Sequence, residues 1–162
     1  MTKERLLEDL KVFIEKTTNH YELPTAVQKG DTEQIFRAPE VHKMRLPVSG
    51  DAKKKAPYVL IQYLTGKDFQ KTAQQSRSYA TIRMVFAVYH ESEEEGSLAL
   101  LNLMETVRLA LMRQVRIGAC FRLDTDEGVD SLVYFENTAP YFGGEMLFNI
   151  LVPPVEREVS YE

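Results

Sequence analysis

The chain has 162 residues, of which 44% are hydrophobic and 27% are charged, and its formal net charge is −4. This composition is typical of one globular domain with a buried core. The mildly acidic balance argues against a nucleic-acid or membrane partner, because such partners usually draw on a basic surplus. A lone cysteine, Cys120, excludes an intrachain disulfide and is compatible with folding in a reducing cytoplasm.

The N-terminal segment predicts a helix rather than a targeting signal. It mixes charged and apolar residues and lacks the apolar run of a signal peptide. No window of the chain approaches the ~18 apolar residues of a membrane span. A helix is predicted over 3–17, with Thr2 as its N-cap. Its single apolar stripe, which indicates packing on another layer, comprises Leu6, Leu10, Phe13 and Ile14.

Three strands are predicted between this helix and a second one. They cover about 35–46, 58–66 and 79–90. The last of them alternates between two faces, as a strand packed on one side does. The segments 47–57 and 67–78 that separate the strands are polar. We expect both to be exposed loops, and the second of them is alternatively the arm of a long hairpin.

The second helix, predicted over about 95–116, is the most regular segment of the chain. Ser92 followed by Glu95 has the S-x-x-E spacing of a capping box, and Gly118 is expected to end the helix. Its wide apolar stripe comprises Leu100, Leu103, Met104, Val107, Ala110, Leu111 and Val115.

Two leucines of this helix do not belong to the stripe. Leu98 and Leu109 fall almost opposite it. An apolar pair on the polar side of a helix indicates either burial between two layers or a contact with another chain. Both alternatives are open from the sequence.

Three more strands are predicted after the second helix, over 119–124, 132–137 and 145–152. Gly143 and Gly144 are expected to turn the chain into the last strand, and 153–162 is a polar tail. The element order is then α-βββ-α-βββ. This order predicts an α+β fold, a single-domain two-layer sandwich in which two helices cover one face of a mostly antiparallel sheet.

No motif of known chemistry is present. The histidines His20, His42 and His90 are far apart in sequence, and the acidic turn "LDTDEGVD" fails the calcium-loop register. Cys120 follows the second helix directly in a strand-like run, where a buried structural thiol is the common case. We therefore predict no catalytic residue, no cofactor and no metal site.

Charged residues in the two polar loops are the other candidate contacts. Lys53, Lys54 and Lys55 lie in "DAKKKAP", which is either a solvated loop or a loop that meets an acidic neighbouring protein. Lys67 and Asp68 begin the second polar loop. Without interleaved aromatic residues, the lysines are a weak nucleic-acid signal.

Three blocks in order carry a resemblance to a known family. They are "KAPYVLIQYLTGKD" with the alternating strand after it, "GSLALLNLMETVRLALMRQ" and "YFGGEMLFNILVPPVER". Together they span roughly 55–158. The chain resembles the tail terminator (tail completion) proteins of long-tailed bacteriophages and of related prophages and phage-tail-like particles.

The resemblance implies a structural virion protein and not an enzyme. Such proteins form homo-oligomeric rings, typically hexameric, that cap the tail tube protein, stop its polymerisation and present a surface to the head–tail connector or neck protein. In contractile tails they also meet the sheath protein. The genome DNA passes through the ring without specific binding. The implied location is the neck-proximal end of the virion tail, after assembly in the bacterial cytoplasm.

Two alternatives belong to other classes. The first is another head–tail joining or neck subunit of similar fold, because fold alone does not determine function. The second is a small-molecule-binding or enzymatic α+β module, which would need a concave apolar pocket with converging polar groups.

Overall fold

The computed structural model describes residues 2–27, 33–48, 55–136 and 138–158. In these ranges the chain forms two helices and nine strands. The elements are α1 (Lys3–Thr18), β1 (Leu23–Pro24), β2 (Phe36–Arg37), β3 (Glu40–Lys43), β4 (Tyr58–Phe69), β5 (Arg77–Tyr89), α2 (Glu93–Gln114), β6 (Arg116–Ile117), β7 (Phe121–Leu123), β8 (Val129–Val133) and β9 (Tyr141–Val152).

Seven strands form one sheet in the order β3-β4-β5-β9-β7-β6, with β8 paired to β9. Only the β3–β4 pair is parallel, and every other pair in this sheet is antiparallel. The long strand β5 pairs with β4 on one side and with β9 on the other. The remaining strands, β1 and β2, form a separate two-stranded pair.

One face of the sheet, here called the inner face, carries the main core. The register aligns Val59, Phe86 and Gly144 in one row across β4, β5 and β9. Buried side chains of both helices join the same cluster, among them Leu10 of α1 and Val107 of α2. Each fully buried apolar side chain contributes roughly 1.5–3 kcal/mol before the entropy of ordering is subtracted, so this face dominates stability.

Helix α1 lies where the two edges of the sheet approach one another. It contacts both β3 and β6, which are at opposite ends of the strand order. The sheet is therefore curled around the helix. An ion pair between Lys43 of β3 and Glu8 of α1 joins the helix to one edge.

This ion pair gives stability a dependence on pH. The hydrogen bond and charge of Lys43 lower the pKa of Glu8 below its usual 4.5. A lowered folded-state pKa contributes stability that is present above 4.5 and lost as the pH falls through the folded value. Glu8→Gln should therefore lower the urea midpoint slightly at pH 7 and leave it unchanged in acid below that value. An equal shift at both pH values would contradict this. The control is Glu15→Gln, at an exposed carboxylate of the same helix.

The prediction of an α+β fold with two helices and a mostly antiparallel sheet is confirmed, but the predicted strand order is not. The stretch 35–46 holds two short strands, β2 and β3, and the two-residue strands β1 and β6 were not foreseen. Strands of two residues show no alternation that a sequence pattern would reveal. The second helix occupies Glu93–Gln114 instead of 95–116, with Ser92 as N-cap.

Two further predictions about strands need correction. The polar segment 67–78 is not all loop but the end of a long hairpin, the alternative that the sequence also allowed, because β4 continues to Phe69 and β5 begins at Arg77. Backbone pairing between the two strands holds this segment although its side chains are polar. Gly143 and Gly144 are not a turn, since both lie inside β9.

Close packing explains the second of these glycines. A Cβ at Gly144 would lie 2.7 Å from Sδ of Met104 and 2.8 Å from the carbonyl oxygen of Leu132. Both distances are shorter than a side-chain contact allows. Strand β9 therefore passes close to α2 and β8 at a point where only glycine fits.

Candidate interaction surfaces

The outer face of the sheet, which points away from the helices, is partly covered by a second apolar cluster. This cluster contains Ala56, Tyr58, Leu60 and Tyr89. Half-buried apolar residues outside the sheet, including Leu46, pack against it. Neither α1 nor α2 covers the remainder of the outer face, which carries polar side chains at alternate positions of the three long strands.

A hydrogen-bonded network around Arg83 occupies the centre of the outer face. The guanidinium donates to the carboxylate of Glu145, to Oε1 of Gln62 at 3.1 Å and to the hydroxyl of Tyr134 at 3.1 Å. The carboxylate of Glu145 raises the pKa of Arg83, and burial raises the pKa of Tyr134. The network links β4, β5 and β9 to the segment after β8 through side-chain hydrogen bonds.

An apolar cleft lies beside this network. It has a volume of about 190 Å³, and its lining includes Tyr58, Val85, Tyr134 and Tyr141. Burial raises the pKa of Tyr58. Pockets for small organic ligands usually measure roughly 300–1,000 Å³, so this cleft is small for such a ligand.

A larger polar cleft of about 390 Å³ lies beside the loop end of the β4–β5 hairpin. Arg77 donates to Oδ2 of the buried Asp124 at 3.1 Å, and Oδ1 of Asp124 accepts from the backbone N–H of Asp126 at 3.2 Å. These bonds tie the hairpin to the turn between β7 and β8. The acidic segment "LDTDEGVD" thus connects β7 to β8, which pair with β9 rather than with each other as a hairpin, and Asp124 is a structural residue in it.

The titratable residues considered from the sequence have separate surroundings. His42 lies 3.2 Å from Glu40, and His90 accepts from the backbone N–H of Ser92 at 3.0 Å. The prediction of a buried thiol is wrong: Cys120 is exposed, in the turn between β6 and β7. The described ranges contain no group of three or more His, Cys, Asp or Glu residues arranged to hold a metal ion.

Within the described ranges, neither α1 nor α2 is long and apolar enough to span a bilayer.

The end of the β4–β5 hairpin and the C-terminal tail form one polar surface. Nε2 of Gln70 donates to the carbonyl of Val155 at 2.7 Å, and Oγ of Ser76 donates to Glu156 at 3.0 Å. On the same hairpin, the ammonium of Lys67 lies 4.9 Å from the centre of the Phe69 ring. The polar tail is therefore held against the hairpin from Val155 to Arg157. Residues 159–162 lie outside the described ranges.

The predicted contact residues are distributed over separate surfaces. Asp68, on the hairpin, accepts from Oγ of Ser78 at 2.5 Å. Lys53 and Lys54 lie outside the described residues. Lys55 is half-buried, and its carbonyl accepts from Nη2 of Arg37 at 2.7 Å, which anchors the end of the lysine loop.

The outward side of α2 carries the two predicted leucines. Leu98 is exposed and Leu109 is half-buried, so burial of Leu98 between layers is wrong. Leu101 and Met112 on the same helix are also exposed, although the sequence analysis did not single them out. Their spacing from Leu98, at i+3 and i+14, is the signal that would have identified them.

Two free strand edges are the surfaces that sequence reasoning missed. In the part of the chain that the structure describes, β3 pairs only with β4, and β8 pairs only with β9. These strands lie toward opposite ends of the sheet. Large exposed apolar residues accompany each edge, namely Leu132 in β8, Phe135 two residues beyond it and Met44 directly after β3. Phe135 is 96% exposed.

Comparison of the sequence with protein-family profiles gave no match. Comparison with curated proteins gave none either.

Proposed function

We propose that the protein is a structural subunit of a bacteriophage tail, a tail terminator that assembles into a hexameric ring on the end of the tail tube. The observation that carries the proposal is the pair of free strand edges on opposite sides of the sheet, each with exposed apolar residues. The resemblance of the three sequence blocks supplies the class of virion protein. In this proposal each subunit is one two-layer domain.

The two edges suit a head-to-tail contact between copies. Strand β8 runs antiparallel to β9, whereas β3 runs in the same direction as β9. An incoming β3 therefore meets β8 of the preceding copy as an antiparallel strand. Different surfaces used on the two sides of a subunit define a heterologous interface, which closes into a ring when the rotation permits. Exposed edges with apolar residues are the surfaces that such pairing would cover.

The polar surface at the hairpin end is the proposed contact with the tail tube. It joins Lys67 and Asp68 to the bound C-terminal tail. Other parts of the ring would face the head–tail connector and, in a contractile tail, the sheath. A lumen built from subunits of net charge −4 would let DNA pass without gripping its phosphates.

The deciding experiment is to make particles that lack this protein. A terminator predicts overlong or headless tails, because nothing stops polymerisation of the tube. Tails of normal length that carry no head would contradict the terminator and favour a neck subunit. Normal particles would exclude both roles. Tail lengths measured by electron microscopy separate these results.

The lysine loop gives a second test of this proposal. Changing Lys53, Lys54 and Lys55 to glutamate should weaken binding to tubes at physiological salt, because a loop that meets an acidic neighbour would then repel it. We expect at least a tenfold loss of affinity, which corresponds to about 1.4 kcal/mol. Replacement of the same lysines by glutamine is the control for charge reversal. Unchanged binding of the glutamate variant in cosedimentation would exclude the loop from the contact.

The enzymatic or small-molecule alternative has one supporting observation, the polar cleft of about 390 Å³ beside Arg77 and Arg122. Its volume lies within the range of ligand sites. The cleft's two positive charges are matched by Asp124 and Asp126, and Asp124 already forms an ion pair with Arg77. Calorimetric titration with small anions would favour this alternative if it gave saturable binding that Arg122→Ala removed.

A further inference from the structure

The outward side of α2 is more apolar than a solvent-facing helix surface requires. Leu98, Leu101 and Met112 are 57%, 53% and 42% exposed, and Leu109 is half-buried. At 3.6 residues per turn, these four fall within an arc of about 80°, on the side opposite the buried Val107. We call these four residues the α2 stripe.

The charged residues of α2 are distributed unevenly, with acidic residues in the first turn and a basic residue in the last. Glu94, in the first turn, and Arg113, in the last, are both exposed and flank the α2 stripe at opposite ends. Between them, Arg108 and Glu105 form an ion pair on the outward side, so their charges cancel. The helix is thus acidic at one end, basic at the other and charge-balanced in the middle.

We propose that two copies of the free chain pair through the α2 stripe, antiparallel, about a two-fold axis at Glu105. In this arrangement Leu98 faces Met112 of the second copy, because both lie seven residues from Glu105. Leu101 faces Leu109 in the same way, four residues from the axis. Apolar residues therefore meet apolar residues on both sides of the axis, and the two Glu105 side chains, each paired with Arg108 of its own chain, meet at the axis.

The charges select this orientation. An antiparallel pair places Glu94 within one helical turn of Arg113 on the other copy, at both ends of the contact. It also brings Glu105 of each copy close to Arg108 of the other. A parallel pair would set Glu94 against Glu94 and Arg113 against Arg113, which is unfavourable. The complementarity of the two ends is the reason for naming a second copy as the occupant.

The length of the helix limits the strength of the contact. Twenty-two residues make a helix of about 33 Å, and one stripe on it buries less than the roughly 800 Å² per partner of a standard interface. We therefore expect a dissociation constant in the micromolar range. The pairing uses neither β3 nor β8, so it stands independently of the proposed ring.

Cysteine crosslinking tests the geometry directly. The Cys120→Ser chain removes the native exposed thiol. Added to that background, Glu105→Cys should form a disulfide dimer under mild oxidation, because residue 105 meets itself at the axis. Leu98→Cys should not, because the two copies of residue 98 are then about 21 Å apart along the helices, far beyond the ~7 Å limit between Cα atoms. Equal crosslinking at both positions, or at neither, would overturn the antiparallel pair.

Sedimentation of the purified chain tests the surface. At about 100 µM, well above a micromolar dissociation constant, the wild type should have twice the mass of the 18.6 kDa chain. Leu98→Glu together with Leu101→Glu should give a monomer with an unchanged urea midpoint. Val12→Glu, at a residue of α1 that is also 57% exposed, should stay dimeric. A monomeric wild type, or a dimer that only Val12→Glu dissociates, would overturn the proposal.

Charge reversal tests the ends of the contact. Glu94→Arg should weaken the dimer at least tenfold at low salt, and Arg113→Glu on the same chain should restore it, since each copy supplies both ends. Absence of this rescue would contradict the proposed alignment. Because none of these measurements uses tail tubes, their failure leaves the terminator proposal open.

Discussion

Ser131→Pro is expected to prevent the protein from capping tail tubes while leaving the chain folded. Tyr134 donates its backbone N–H to the carbonyl of Gly143, and Leu132 lies opposite Glu145 in the same antiparallel ladder. Since hydrogen-bonded pairs alternate in such a ladder, the N–H of Ser131 points away from β9 toward the free edge. Proline at this position removes a donor that only an incoming strand would use.

The effect on the proposed ring should be large because every subunit carries the substitution, so every interface is weakened. Each contact loses a backbone hydrogen bond and meets the proline ring. We expect the number of capped tube ends, counted by electron microscopy, to fall more than tenfold, as about 1.4 kcal/mol of lost contact energy would produce. The free energy of unfolding should change by less than about 1 kcal/mol, as is usual for exposed positions.

Ser131→Ala is the matched control. It keeps the backbone donor and removes only an exposed hydroxyl, so capping should remain at the wild-type level. If the proline variant caps tubes as well as the alanine variant does, the β8 edge is not the ring contact.

Phe86→Ala is expected to cause the largest loss of stability of a single change. Phe86 is completely buried in the central strand β5, where it pairs with Val59 of β4 and Gly144 of β9. Truncation of a buried phenylalanine removes apolar burial and leaves a cavity, which together cost about 3–5 kcal/mol. For a chain of this size we expect the melting temperature to fall by roughly 6–20 °C.

The neighbouring residue provides the comparison for this prediction. Val85 points to the outer face and is half-buried against the second cluster. Val85→Ala should cost only about 1 kcal/mol, because it removes two partly buried carbon groups. Urea unfolding of the two variants side by side measures the difference. Equal losses would mean that the inner face does not dominate the stability of the sheet.

Some of the candidate contact residues were predictable and others were not. Leu98 could be identified because it is an apolar residue on the polar side of a helix. Residues three and four positions away along the chain define that side, so the feature is local. Leu132 and Phe135 did not, since exposed apolar residues near a strand look like core residues until the partner strand is known. The link between Arg83 and Glu145 joins residues 62 positions apart, and no local pattern indicates it.

The sequence by itself determined the two helices, the cores of β4, β5 and β9 and the mixed α+β class, because a period of 3.6 or 2 depends only on residues that are close along the chain. Only the tertiary structure decided which strands pair, that Gly143 and Gly144 lie inside β9, and that β3 and β8 each pair on one side only within the described residues. Backbone hydrogen bonds between distant segments produce these features, and such bonds are almost independent of side-chain type. Periodicity therefore reveals where a strand is and which side it buries, whereas its neighbours follow from packing of the whole chain.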